Sequence, residues 1–267
     1  MKIFVLKKNF IFILLFLLII FVYFIFKSKI NYALEMATID VSSVSLESKF
    51  KEKFNSEKKI AYLTFDDGPS KKITPKILDI LREENVKATF FVVGKHVKEY
   101  PELVNQAFKD GHFIANHGYT HNNNSLYKNN ENFVNEILDT DSEIAKAIGV
   151  SFYCSHVFRF PNGYTAPICK NKKEYLVHNL SDINYFYIDW NCLNKDSERK
   201  YSKAQLLSNL KVSAKGKGIL IILMHDTGDV NNTYDVLKDS INYLKSEGYE
   251  FRNFYEVLSP DLHTYNK

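Results

Sequence analysis

From Lys58 onward the chain alternates short apolar runs with amphipathic stretches. The runs "KIAYLTF", "ATFFVV", "HFIAN", "HVFRF", "NYFYIDW" and "GILIILMH" are brief and rich in β-branched and aromatic residues, so they read as strands. Helical periods lie between them. "TPKILDILREEN" puts Ile77, Leu78 and Leu81 on one face, with Thr74 as the expected N-cap and Pro75 at the first helical position. "PELVNQAFKDG" and "ENFVNEILDTDSEIAKAIG" end at Gly111 and Gly149, which can close a helix. "SKAQLLSNLKVSAK" and "TYDVLKDSINYLKSEG" complete the series, and the Asn-rich "HNNNSLYKNNENF" reads as a surface loop. Strands separated by helices imply a parallel sheet. Six or more such units in this length predict an α/β fold, a closed or distorted (β/α) barrel, with its chemistry at the carboxyl ends of the strands.

The N-terminus has a different pattern. Lys2, Lys7 and Lys8 precede an unbroken apolar stretch from Phe10 to Phe26, and Lys27 and Lys29 follow it. The stretch lies near the lower limit for crossing a bilayer, roughly 17–25 residues. No small-residue cleavage site follows it, so the expectation is an uncleaved transmembrane helix rather than a cleaved signal. The basic cluster ahead of it predicts an N-in orientation with the remainder outside the cell. Residues 1–29 therefore read as cytoplasmic tip and anchor, 30–57 as an extracytoplasmic stem and 58–260 as the domain. Cleavage would instead give a secreted form.

Composition adds exclusions. At 45% hydrophobic and 25% charged the chain is not a disordered type. Its 35 basic and 31 acidic residues are interspersed, which leaves no stripe for nucleic acid. Three cysteines, Cys154, Cys169 and Cys192, cannot all pair within the chain and do not make a zinc ligand set, so they read as core or loop residues.

The polar residues carry the chemistry. Asp66 and Asp67 end the first strand; His117 follows "HFIAN"; Arg159 lies in "HVFRFPNG"; Asp189 and Asp196 border "NYFYIDWNCLNKD"; His225 and Asp226 end "GILIILMHD". Parallel strands would collect all of them on one face. "NHGYTH" spaces His117 and His121 four apart, so that on a helical turn both imidazoles could share a cation. Asp67 is the natural third ligand, and the cation would offset the paired carboxylates. Asp66 is then free to take a proton from an activated water. Gly68-Pro69 is expected to form a tight turn that lets both acids leave the strand on one side.

"TFDDGPS", "NHGYTH", "RFPNG" and "LMHD" occur in the order and at spacings comparable to the motifs of the polysaccharide deacetylases, the NodB-homology carbohydrate esterases of family 4. The chain resembles that family from about Lys58 to Leu258. The resemblance implies a distorted (β/α) barrel of the NodB type, one divalent metal ion (Zn²⁺ favoured, Co²⁺ an alternative) and hydrolysis of N-acetyl or O-acetyl groups on a polysaccharide. It implies Asp66 as general base and Asp67, His117 and His121 as metal ligands. Arg159 would hold the base carboxylate, in keeping with the habit of arginine to fork onto carboxylates. The Asn162 backbone N–H would serve the oxyanion and His225 would be the general acid. Asp196 would orient His225, with Asp189 as the alternative. Three positions depart from the family pattern: Gly118 where Ser or Thr is usual, Asn162 where Tyr or Gly is common, and Ser197 where Trp is common.

The other histidines, His96, His112, His156, His178 and His263, read as surface or satisfied structural residues. Tyr185, Phe186, Tyr187 and Trp190 read as barrel core. Asp226 could be a second orienter of His225 or the cap of the following loop. The leading expectation is a membrane-anchored N-deacetylase of peptidoglycan. The alternatives are a non-catalytic wall-binding domain, or the same site acting on a chitin-like oligomer, an exopolysaccharide or O-acetyl xylan.

Overall fold

The computed structural model describes residues 58–169, 172–229, 231–256 and 258, together with residue 48 and the strand at 264–265. The apolar stretch 10–26, most of the stem and His263 lie outside the described residues. The chain divides into a unit Met1–Ser42 and a unit Ser43–Lys267, and all that follows belongs to the second. Among the described residues no helix is long and apolar enough to cross a membrane.

The elements run β1 (Ile60–Asp66), α1 (Thr74–Glu83), β2 (Thr89–Val92), α2 (Gly94–Glu99), α3 (Pro101–Lys109), β3 (Phe113–Asn116), α4 (Asn123–Leu126), α5 (Asn130–Ile148), β4 (Phe152–Tyr153) and β5 (Val157–Phe158). Then come α6 (Lys173–Asp182), β6 (Phe186–Tyr187), β7 (Cys192–Leu193), α7 (Lys203–Ala214), β8 (Ile219–His225), α8 (Tyr234–Ser246), β9 (Glu250–Arg252) and β10 (Thr264–Tyr265). The main sheet is parallel, in the order β6-β5-β3-β2-β1-β8-β7, with β9 also pairing β1. β4 and β10 form a separate antiparallel pair. The path curls into a distorted (β/α) barrel whose ends, β6 and β7, do not pair among the described residues.

Strand parity decides what faces the barrel interior. Every residue of β1 is buried, as expected where helices cover one face of a parallel sheet and the interior the other. Ala61, Leu63 and Phe65 join the apolar cluster beneath the helices. Tyr62, Thr64 and Asp66 take the opposite face, as a period of two requires. On β8, Leu220, Ile222 and Met224 enter the same cluster, which leaves Ile221, Leu223 and His225 for the interior. On β2, Phe90 and Val92 go to the cluster and Phe91 to the interior. The Phe91 ring lies 6.1 Å from that of Phe254, which lies 5.5 Å from that of Tyr62. On β3, Ile114 is in the cluster and Asn116 shares its face: the Asn116 amide donates to the Ile137 carbonyl and to Asp141 Oδ1 on α5, each at 2.9 Å. His117, one position on, therefore turns inward.

Several local expectations are corrected. Ile73, not Thr74, is the N-cap of α1, and it offers no side-chain cap. The Thr74 hydroxyl instead accepts from Ser70 N at 2.7 Å and donates to Asp226 Oδ2 at 2.8 Å. The Asn-rich segment is ordered by its asparagines: Asn122 caps the turn α4 and Asn129 caps α5, with Leu126 and Tyr127 buried between them. "HVFRF" gives only the two-residue strand Val157–Phe158, and "NYFYIDW" keeps Phe186–Tyr187 alone. Gly149 ends α5 at φ 79, the left-handed closure its position predicts. Cys154, Cys169 and Cys192 are all buried.

Candidate metal and acid–base site

The register places the candidate residues at one end of the sheet. Asp66 pairs with His225 across β1 and β8 and with Phe91 across β1 and β2. Asn116 at the end of β3 pairs with Phe158 at the end of β5, so His117 and Arg159 emerge beside each other. The Arg159 N–H donates to the Asn116 carbonyl at 3.1 Å.

Asp67 should follow Asp66 to the opposite face, yet it does not. Its φ of 75 is left-handed, which turns its carboxylate back toward the interior. His117 Nε2 stands 3.2 Å and His121 Nε2 3.0 Å from Asp67 Oδ1. The loop between the histidines is not helical: Gly118 has φ 80 and His121 φ 54. The shared ligand face expected from a helical turn thus comes from two left-handed residues, and Gly118 suits the first because it has no Cβ.

These three residues fit a divalent cation. One ligand atom from each of Asp67, His117 and His121 lies within 4.8 Å of the others. Asp67 Oδ1 is buried without a hydrogen-bond partner among the described residues. His117 Nδ1 sits 2.7 Å from the Arg159 carbonyl, which only accepts, so Nδ1–H donates to it and the ring is oriented with Nε2 toward Asp67. The pocket therefore calls for positive charge between these atoms. Burial opposes ionisation of Asp67, but the adjoining His117 and His121 imidazoles hold its carboxyl far below the usual carboxylate range.

Asp66 is buried and its Oδ1 accepts from Arg159 Nη1 at 2.8 Å, while its Oδ2 lies 3.8 Å from His117 Nε2. Arg159 is wholly buried, but it does not grip the carboxylate in a two-pronged fork. Nη1 is shared between Asp66 and the Thr64 hydroxyl (2.7 Å), Nε donates to the Ile188 carbonyl (3.0 Å) and Nη2 to the Asp189 carbonyl (3.2 Å). Its guanidinium lies 3.9 Å from the Phe91 ring centroid. The guanidinium is a brace joining β1, β5 and the segment after β6.

Asp196 and Asp189 separate cleanly. Asp196 Oδ1 is 2.8 Å from His225 Nδ1, and its Oδ2 accepts the His225 backbone N–H at 2.8 Å and the Thr233 hydroxyl. Asp189 turns both carboxylate oxygens to the Tyr164 N–H, at 3.2 and 3.1 Å. Burial opposes charge on His225, but the Asp196 carboxylate more than offsets it and pushes the imidazole up to about 9. Asp226 is committed to packing: it takes the Thr74 hydroxyl, and burial pushes its carboxyl up to about 7. Asn162, at φ 67, is exposed, and its backbone N–H has no acceptor among the described residues. Trp190, expected in the core, is half-buried instead, and a Cβ on Gly163 would lie 2.9 Å from its ring.

Two residues near the site were not singled out from the sequence. His96 Nδ1 bonds the Asp67 carbonyl at 2.7 Å, and a lone histidine after Gly-Lys gives no signal of this. Glu136 receives the backbone of the histidine loop. Its signal was legible: it lies on the buried stripe of α5 with Phe133, Ile137 and Ile144, where a charge needs partners. His112 and His156 are satisfied structural residues: Ala88 N donates to His112 Nδ1 at 3.1 Å, and His156 Nδ1 bonds the Asn184 carbonyl at 2.8 Å.

Known proteins share this arrangement of sequence. The polysaccharide deacetylase family profile matches residues 53–178. A peptidoglycan-N-acetylglucosamine deacetylase of Bacillus cereus is 34% identical over 219 residues, spanning 80% of this chain and 76% of the relative. The peptidoglycan-N-acetylmuramic acid deacetylase PdaA of Bacillus subtilis is 28% identical over 211 residues, 76% of this chain and 73% of the relative. Among solved structures, a CE4 esterase of Streptococcus mutans superposes with a TM-score of 0.69 at 29% identity, covering 78% of this chain and 90% of that one. The curled parallel barrel, the Asp-His-His cluster and a relative matched along most of both chains agree: the protein belongs to the polysaccharide deacetylase family.

Proposed function

We propose that this protein is a metal-dependent hydrolase that removes N-acetyl groups from a cell-envelope polysaccharide, with peptidoglycan as the favoured substrate. One observation carries the reading. Asp66 and His225 stand in register on neighbouring strands, each with its own charged partner, beside a three-residue cation cluster. A module that only bound wall material would need neither the Arg159-braced carboxylate nor the Asp196-braced imidazole.

Asp67, His117 and His121 would hold the ion. When bound, a divalent metal such as Zn²⁺ or Co²⁺ supplies Lewis-acid polarisation and acidifies a water. Asp66, held in place by Arg159, accepts the proton of the water whose oxygen attacks the acetyl carbonyl carbon. The free N–H of Asn162 donates to the carbonyl oxygen as charge develops on it. His225 enters protonated, held so by Asp196, and gives its proton to the amide nitrogen as the C–N bond breaks. Acetate and a free amine leave. Arg159 and Asp196 touch no reacting atom in this scheme and fix the two groups that do.

The same reading places the enzyme outside the cell on a single-pass anchor. It rests on the basic residues before Phe10–Phe26 and on the wall polymers that the named relatives deacetylate. The test is mass spectrometry of muropeptides incubated with the full chain and Zn²⁺. Loss of an acetyl group, absent with chelator and in Asp66→Asn, is expected. Acetate release from O-acetyl substrates alone would replace the reading with an esterase. Extraction of the chain from cells by carbonate, without detergent, would refute the anchor.

A further inference from the structure

We propose that Glu136 is a positioning residue for the metal cluster, and that its carboxylate shapes the loop that delivers His117 and His121. The observation is a full set of donors. Glu136 Oε2 accepts the backbone N–H groups of Tyr119 (2.8 Å) and Thr120 (2.7 Å). Oε1 accepts the hydroxyls of Thr120 and Ser125, both at 2.7 Å. All four donors lie between or just beyond the two histidines, and Glu136 is itself buried.

The loop needs such a template. It contains two left-handed residues, Gly118 and His121, and makes no helical hydrogen bonds that could hold it. Its carbonyls are taken from the other side: Gly94 N donates to the Gly118 carbonyl at 3.0 Å and Lys95 N to that of Tyr119 at 2.9 Å. Asn116 Oδ1 takes the Gly118 N–H at 2.9 Å. Glu136 supplies the acceptors that complete this set. Gly118 carries no hydroxyl with which to brace the loop from within, so in this chain the bracing falls to the helix behind it. Its reach is purely geometric: the carboxylate bonds no ligand side chain, only the peptide N–H groups of Tyr119 and Thr120 and the hydroxyls of Thr120 and Ser125.

The proposal rests on the cluster binding a divalent metal, and metal affinity tests it without turnover. Zn²⁺ binding to the full chain would be measured against a chromophoric chelator, with unfolding followed in the metal-free state. Glu136→Ala should weaken Zn²⁺ about 10–100-fold, the scale of lost outer partners of metal ligands. Glu136→Gln should stay within about threefold of wild type. Its amide oxygen can take the two N–H groups, and its NH₂ can donate to the two hydroxyls, which also accept. Unchanged affinity in Glu136→Ala, or an equal loss in Glu136→Gln, overturns the proposal; the latter would make charge, not shape, the cause. Should Glu136→Ala not fold, the double substitution Thr120→Val with Ser125→Ala should still weaken Zn²⁺ at least threefold, and no change would be equally fatal. If wild type itself binds no divalent metal, the functional reading fails along with this one. If it binds metal but deacetylates nothing, only the functional reading fails.

An independent contact carries a second proposal: His96 positions Asp67. The Asp67 carbonyl only accepts, so His96 Nδ1–H donates to it at 2.7 Å, against a residue held at φ 75. Val93 N secures the next carbonyl, that of Gly68, at 2.9 Å. An asparagine side chain can present its NH₂ near the place of Nδ1. His96→Asn should therefore keep Zn²⁺ affinity within about threefold, and His96→Phe should lose about tenfold. Equal affinities in the two variants would overturn it.

Discussion

Asp196 holds His225 at two points: one carboxylate oxygen meets the imidazole Nδ1 and the other the backbone N–H of the same residue, each at 2.8 Å. The side chain and the strand end it grows from are thus fixed by one group. Asp196→Asn should return the imidazole from about 9 toward its ordinary value near 6.5. The alkaline limb of kcat/KM should move to lower pH, and the rate should fall within the roughly 10²–10⁴-fold span of acid–base groups. Asp189→Asn should leave that limb in place, because Asp189 serves Tyr164. A shift of the limb in Asp189→Asn would reverse the assignment.

The same pair links stability to pH. The folded-state value of His225 is raised above the unfolded one, so its contribution is complete below about 6.5 and fades as pH rises through about 9. Chemical denaturation of the metal-free protein from pH 6 to 10 should show this loss, and His225→Gln should flatten it.

Arg159 and Asp66 form a buried ion pair, and removing one partner strands the other. Arg159→Met should cost about 3–5 kcal/mol, read as a lowered denaturation midpoint. Arg159→Lys should recover little, because a single ammonium cannot also serve Thr64, Ile188 and Asp189.

Removing metal should be reversible. Zn²⁺ at a hundred times its Kd should stabilise the chelated protein by about 2.7 kcal/mol, and His117→Ala should abolish that gain. A thermal shift in His117→Ala equal to that of wild type would place the ion elsewhere.

Gly68 and Gly149 make a controlled comparison. A Cβ on Gly149 would meet nothing within 4 Å, so Gly149→Ala should cost only the left-handed backbone, about 1–2 kcal/mol. A Cβ on Gly68 would lie 2.0 Å from both Asp226 carboxylate oxygens. Gly68→Ala should destabilise by more than Gly149→Ala and should depress activity, since it displaces the turn that follows Asp67.

Much of this was legible in the sequence because strands and polar ends obey a short period. β1, β2, β3 and β8 are visible as apolar runs, and β1, β3 and β8 deliver polar residues at or just past their carboxyl ends. The Asp67, His117 and His121 cluster follows from that rule and a spacing. What escaped depends on contacts distant in sequence. Only the resemblance prefers Asp196 to Asp189 in the sequence, and the contacts with Tyr164 and His225 show where each is spent. Trp190 reads as core until Gly163 and the segment around Arg159 bring it to the rim. The asparagines of the "loop" cap helices because each has a free backbone donor two or three residues ahead, which composition alone does not reveal.

The alternation along β1 and β8 has a consequence for how such a protein can change. A single-residue deletion inside β8 would move His225 into the place of Met224, turning the proposed proton donor into the helix layer. A two-residue deletion would restore its side but lower it by about 7 Å, out of reach of the acetyl group. The reaction is therefore written partly in the length of its strands. Insertions should accumulate in the connections between elements, and the seven-residue spans of β1 and β8 should stay as they are.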